Sequence, residues 1–84
     1  MTSEPNISED ILTHVTEIVT RIGNVKDLAP DQDVYDAGVT SIMALPILME
    51  LEDRFMVSIP DDVFIAARSP RQFAKLIAEL QTKQ

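Results

Sequence analysis

Apolar residues recur along this chain at helical spacing, and nowhere do they alternate as a half-buried strand requires. Ile7, Ile11, Val15, Ile18 and Ile22 step by four, four, three and four residues, which puts all five on one stripe. Ala44, Ile47, Leu48, Leu51 and Phe55 form a second stripe, and Phe73, Leu76, Ile77 and Leu80 a third. There is no internal repeat. Three such stripes in 84 residues have only one another to pack against, so an all-α fold in a single domain spanning 1–84 is expected, with no room for a second core. Hydrophobic residues make up 45% of the chain and charged residues 25%, a balance that excludes full-length disorder.

Local signals set the boundaries. The first helix is expected from about Ile7 to Ile22, with Asn6 as N-cap, Glu9 answering it three residues later, and Gly23-Asn24 as the left-handed stop. Residues 23–40 show no sustained period and read as a long loop. Val25, Leu28, Val34 and Tyr35 are the anchors expected to pin it to the core. The second helix is expected from Ser41 to Phe55 with Thr40 as N-cap. Pro46 lies inside it and should either kink its first turns or move the regular start toward Pro46. Ile59-Pro60-Asp61-Asp62 breaks the chain, and Val63 to Ala67 allows a short third helix. Ser69-Pro70-Arg71-Gln72 is a helix start in three respects: Ser as N-cap, Pro in first position, Gln in third. The expected architecture is a four-helix bundle, three helices long and one short, with a long loop between the first two.

Charge and composition exclude several functions. The chain has 14 acids against 7 bases, a net charge of −7. Residues 1–40 carry 8 acids and 2 bases, residues 41–62 carry 5 acids and Arg54, and residues 63–84 carry Glu79 against Arg68, Arg71, Lys75 and Lys83. Nucleic-acid binding needs the opposite sign, so basic protein partners are the better match. With no Cys there is no disulfide, no thiolate metal site and no protein thiol. No apolar run is long enough to span a bilayer, and the polar start MTSEPNISED has no signal-peptide pattern, so a cytoplasmic location and no membrane partner are expected. Asp31, Asp33 and Asp36 resemble calcium ligands, but Tyr35, Asp36 and Ile42 stand where an EF-hand loop needs an acid or Asn, a Gly and a Glu; no metal site is expected. His14 is the sole histidine, and nothing positions it beside a nucleophilic Ser and an oxyanion hole. With two glycines there is no phosphate-cradling loop either. No catalytic residues are expected, and the chain does not read as an enzyme.

Asp36-Ala37-Gly38-Val39-Thr40-Ser41-Ile42 remains. Gly38 lets the chain turn, Thr40 stands at the cap, and Ser41 opens a helix whose N-terminus favours a phosphate near its hydroxyl. On these residues alone Ser41 reads equally as an ordinary first-turn serine or as a phosphate-bearing one. The same helix carries a surplus apolar stripe, Ile42, Leu45, Met49 and Met56, beside the acids Glu50, Glu52 and Asp53. Such a stripe is either a wider core contact or a partner-binding face.

The run Asp36–Gly38, Thr40-Ser41-Ile42, Leu48–Phe55 and Ile59-Pro60-Asp61 resembles the acyl carrier protein family, which includes the peptidyl carrier domains of nonribosomal peptide synthetases. The Gly-x-x-Ser-hydrophobic start and the Leu-Glu-x-x-Phe-x-x-x-Ile-Pro run from Leu51 to Pro60 carry most of the likeness, which extends over essentially the whole chain. The resemblance implies a four-helix carrier whose Ser41 receives 4′-phosphopantetheine from coenzyme A through a phosphopantetheinyl transferase. The terminal thiol of that arm holds acyl or aminoacyl thioesters, which a chain without Cys cannot hold itself. It also implies that the second helix is read by partners: a loading ligase and downstream transferases. Thr40, Ile42, Leu45 and Met49 would be contacts, and Glu50, Glu52 and Asp53 would face basic patches.

Three features depart from the family pattern. Thr40 stands where the family usually has Asp before the modified Ser, Met43-Ala44 replace residues often polar or acidic, and Pro46 is unusual in the recognition helix. These departures imply a specialised rather than a housekeeping fatty-acid carrier. The Asp36–Ser41 run and the Phe64-to-Phe73 segment with Arg68 and Arg71 resemble stand-alone bacterial carriers charged with amino acids by truncated synthetase-like ligases. Thr40 and Pro46 also leave open an unmodified acidic helical adaptor that binds partners non-covalently. A carrier of either kind is expected to be monomeric, because the second helix must stay exposed.

Overall fold

The computed structural model describes residues 9–82. These form five helices: α1 (Glu9–Gly23), α2 (Val34–Ala37), α3 (Ser41–Phe55), α4 (Asp61–Ala66) and α5 (Pro70–Thr82). The expected Asn6 cap and Ile7 start lie outside the described residues. The second, third and fourth helices expected from the sequence correspond to α3, α4 and α5. The fold is the all-α bundle expected, with one helix more than the sequence periods reveal among the described residues.

The core lies where the three long helices meet. Val15, Ile18 and Val19 of α1 face Ile47, Leu48 and Leu51 of α3 and Phe73, Ala74 and Ile77 of α5, all buried. The inner face of α4 adds Phe64, whose ring stacks on Phe73 at 5.1 Å between centroids. Each side chain of this size contributes roughly 1.5–3 kcal/mol when taken from water.

Helix ends follow backbone chemistry. Asn24, not Gly23, adopts the left-handed conformation after α1, at φ 56. The Val25 N–H then donates to the Thr20 carbonyl at 3.1 Å, closing the terminal turn. Gly23 makes room instead. A Cβ there would lie 2.9 Å from Val39 Cγ2, so the loop approaches α1 closely because that side chain is missing. Met56 ends α3 in the same left-handed way, at φ 57, with the Val57 N–H donating to Glu52 O at 3.3 Å. At α5 the Ser69 Oγ accepts the Gln72 N–H at 3.2 Å, and the Gln72 Oε1 accepts the Arg68 N–H at 2.6 Å.

Two sequence expectations are corrected, and one alternative is decided. The 23–40 segment contains α2, a single turn too short to show a period; Asp33 caps it by accepting the N–H groups of Tyr35 and Asp36 at 2.8 and 3.2 Å. Its anchors do hold: Leu28 and Val34 are buried, Val25 and Tyr35 half-buried. Next, α4 begins at Asp61, so the two acids placed in the chain break form its first turn, where negative charge suits the helix dipole. By contrast, α3 runs from Ser41 to Phe55 as expected, so its regular start is not moved toward Pro46. Pro46 leaves the Ile42 carbonyl without its helical donor, but both residues are exposed, so water can take that bond.

Candidate functional site

The loop from α2 delivers Ser41. Gly38 turns the chain at φ 124, a conformation that disfavours any side chain. The Val39 N–H donates to Val34 O at 3.0 Å, and its side chain is buried against α1. Thr40 follows in extended conformation at the N-cap position, and its carbonyl accepts the N–H groups of Met43 and Ala44 at 3.0 and 3.1 Å. Its side chain makes no capping hydrogen bond, contrary to the sequence expectation. Ser41 is exposed and is the first residue of a fifteen-residue helix.

Beside Ser41 runs a groove of about 240 Å³ between α3 and α4. Ala44, Leu45 and Leu48 form its α3 wall, Phe64 and Ile65 its α4 wall, with Tyr35 and Asp61 at the sides. It is mostly apolar.

The surplus stripe on α3 is not core. Ile42 is 84% exposed, Leu45 60%, Met49 59% and Met56 79%, while Ile47, Leu48 and Leu51 of the same helix are buried. This excludes the wider core contact. The predicted acids separate. Asp53 is exposed. Glu50 meets Arg21 of α1 at 3.5 Å, a loose surface pair worth little. Glu52 turns inward, its Oε2 accepting the Ile59 N–H at 2.8 Å and fixing the turn after α3. Pro46 joins Met49, Glu50, Glu52 and Asp53 along one shallow depression.

The loop aspartates have arginine partners. Arg68 Nε donates to Asp33 Oδ2 at 2.7 Å, and Arg71 Nε to Asp31 Oδ1 at 2.7 Å. The hydrogen bond from Arg68 holds the Asp33 carboxyl below its ordinary value of 3.8, outweighing partial desolvation, and Asp33 in turn raises Arg68. Much of the basic C-terminal segment is therefore neutralised within the molecule, a pairing that sequence separations of 35 and 40 residues conceal. No group of three or more metal-ligating side chains occurs among the described residues. His14 packs edge-on against Phe55 at 6.3 Å, at the end of α3 opposite Ser41 and roughly 20 Å away along the helix axis. A Ser41–His14 hydrolytic pair is thereby excluded.

A model of the family described as "Phosphopantetheine attachment site" matches residues 9–77, all five helices but the end of α5. The chain belongs to that family. Its members are acyl and peptidyl carriers, which hold a 4′-phosphopantetheine prosthetic group and perform no catalysis themselves. They work with a phosphopantetheinyl transferase and with partner enzymes. No curated protein matches the chain. No helix among the described residues is long and apolar enough to cross a membrane. The carrier's residues fit the group: an exposed serine hydroxyl opens a long helix, and an apolar groove lies alongside it.

Proposed function

We propose that Ser41 is the attachment residue and that the chain is a single carrier domain, spanning 1–84, of acyl or aminoacyl thioesters. The observation that carries this reading is the exposed Ser41 at the head of α3, beside an apolar groove and inside the matched family span. On the transferase, Ser41 Oγ would attack the pantetheine-side phosphorus of coenzyme A, breaking the diphosphate bond so that adenosine 3′,5′-bisphosphate leaves and the hydroxyl proton passes to a base of the transferase. The resulting phosphodiester holds the arm, which supplies the thiol that this Cys-free chain lacks. The N-terminal end of α3 favours the added negative charge.

Thr40, Ile42, Leu45 and Met49 present the surface a partner meets, with Glu50 and Asp53 flanking it; Glu52 acts mainly by shaping the turn after α3. Docking of this kind favours fast encounter and fast release, as a shuttle needs. Thr40, Met43-Ala44 and Pro46 support a specialised carrier over a housekeeping fatty-acid one, and a dedicated amino-acid ligase is the loading enzyme that fits the likeness of the Phe64-to-Phe73 segment. We place the carrier in the cytoplasm as a monomer, with no nucleic-acid or membrane partner.

The test is incubation with coenzyme A and a promiscuous transferase, followed by peptide mapping. Modification at Ser41 supports the reading. A folded protein that stays unmodified is the adaptor instead, and modification of a Ser41→Ala variant at another residue would move the site.

A further inference from the structure

Arg68 is exposed and far from Ser41 in sequence, yet it grips the short helix that leads to it in three ways. Its carbonyl accepts the Val34 N–H at 2.8 Å. Its guanidinium donates to Asp33, the residue whose other carboxylate oxygen caps α2. The same guanidinium lies 4.8 Å over the ring of Tyr35. Tyr35 is a wall of the groove that Ser41 also lines.

We propose that Arg68 is a positioning residue for Ser41, holding α2 and the Tyr35 wall so that the loop presents Ser41 in one geometry. The proposal rests on Ser41 being the modified residue. A four-residue helix cannot sustain itself, because nucleation costs more than one turn returns. It therefore depends on its cap and its tertiary contacts. From α2 to Ser41 the chain has only Gly38, Val39 and Thr40, and Val39 is tied back to Val34 and seated on Gly23. Movement of α2 is thus passed on to Ser41 within three residues. Arg71 provides an internal comparison. Its pair with Asp31 has the same 2.7 Å length, but Asp31 caps nothing and Arg71 lies over no groove residue.

The experiment compares wild type, Arg68→Gln, Arg68→Lys and Arg71→Gln, each full length. Modification by a promiscuous transferase is followed at varied carrier concentration, and amide exchange is measured over residues 34–41. Arg68→Gln is expected to lower kcat about tenfold with KM for the carrier little changed, as loss of orientation does. Exchange at Tyr35 and Asp36 should quicken in the same variant more than at the core amides of α1 and α5, with only a small drop in the thermal midpoint. Arg68→Lys keeps the charge but not the planar fork over Tyr35, so it should recover only part of the rate. Arg71→Gln should match wild type in rate and in exchange. A wild type modified normally and an Arg68→Gln variant modified as fast overturns the positioning role alone. So does an effect confined to KM, which would make Arg68 a contact for the transferase, or an equal effect of both glutamine variants. A wild type that takes no arm at all removes the Ser41 reading, and the positioning role falls with it.

Discussion

Met56 and Gly38 both have positive φ, but only Gly38 is suited to it. Met56 adopts the left-handed conformation with its side chain exposed, so its strain is not offset by burial. Met56→Gly is expected to raise stability by about 0.5 kcal/mol, the left-handed penalty less the added freedom of glycine in the unfolded chain. Gly38→Ala should lower it by on the order of 1–3 kcal/mol, although nothing lies within 4 Å of the added carbon. Denaturant unfolding of the two variants measures both, and two changes of the same sign would contradict the assignment. Asp33 yields a pH prediction. Its folded pKa lies below the ordinary value, so its contribution is complete above the unfolded pKa and is lost as pH falls through the lowered one. The Tyr35 and Asp36 amide resonances should report a midpoint below that of a free aspartate, and Arg68→Gln should bring it back up. Legibility at this scale was uneven. Gly23-Asn24 could be read as a helix stop, but which of the two turns left-handed and which makes room for Val39 depends on a contact sixteen residues away.

Helix α3 is apolar on two sides, and burial separates them. Leu51 is fully buried, so Leu51→Ala should cost about 2–5 kcal/mol. Leu45→Asp, on the exposed stripe, should change stability by no more than about 0.5 kcal/mol and yet slow loading by a partner ligase or transferase. Paired unfolding and loading measurements separate the two effects; a Leu45→Asp variant that unfolds easily would return the stripe to the core. The long helices were legible because each carries three or more core residues at helical spacing. Helix α2 was not, because four residues cannot show a period; its one local signal was Asp33 standing two and three residues before the N–H groups it caps. The opposite fault occurred at α4, where Asp61 and Asp62 look like a break after Pro60 but belong to a first turn. At Pro46 the helix continues through the proline, at a point where both Pro46 and Ile42, whose carbonyl loses its donor, are exposed residues.

At the scale of the molecule, charge is partly settled internally and partly left for partners. Arg68 and Arg71 are matched to Asp33 and Asp31, whereas Asp53, Asp61 and Asp62 remain exposed near the α3–α4 side. Raising ionic strength from low to high salt should therefore slow association with a basic partner enzyme while leaving thermal unfolding nearly unchanged. A loading rate indifferent to salt would contradict electrostatic steering. The family was legible because its motif is local, running from Gly38 to Pro60 through Ser41 and Phe55. The arginine clamp on α2 was not, since it joins segments that come together only in the folded chain. The central claim is the chemistry of one hydroxyl, and the intact mass of the purified protein before and after incubation with coenzyme A and a promiscuous transferase tests it most directly. A gain of one 4′-phosphopantetheine, mapped to Ser41 and absent from Ser41→Ala, is the predicted result. An unchanged mass on a folded protein, or a gain that survives Ser41→Ala, would contradict it.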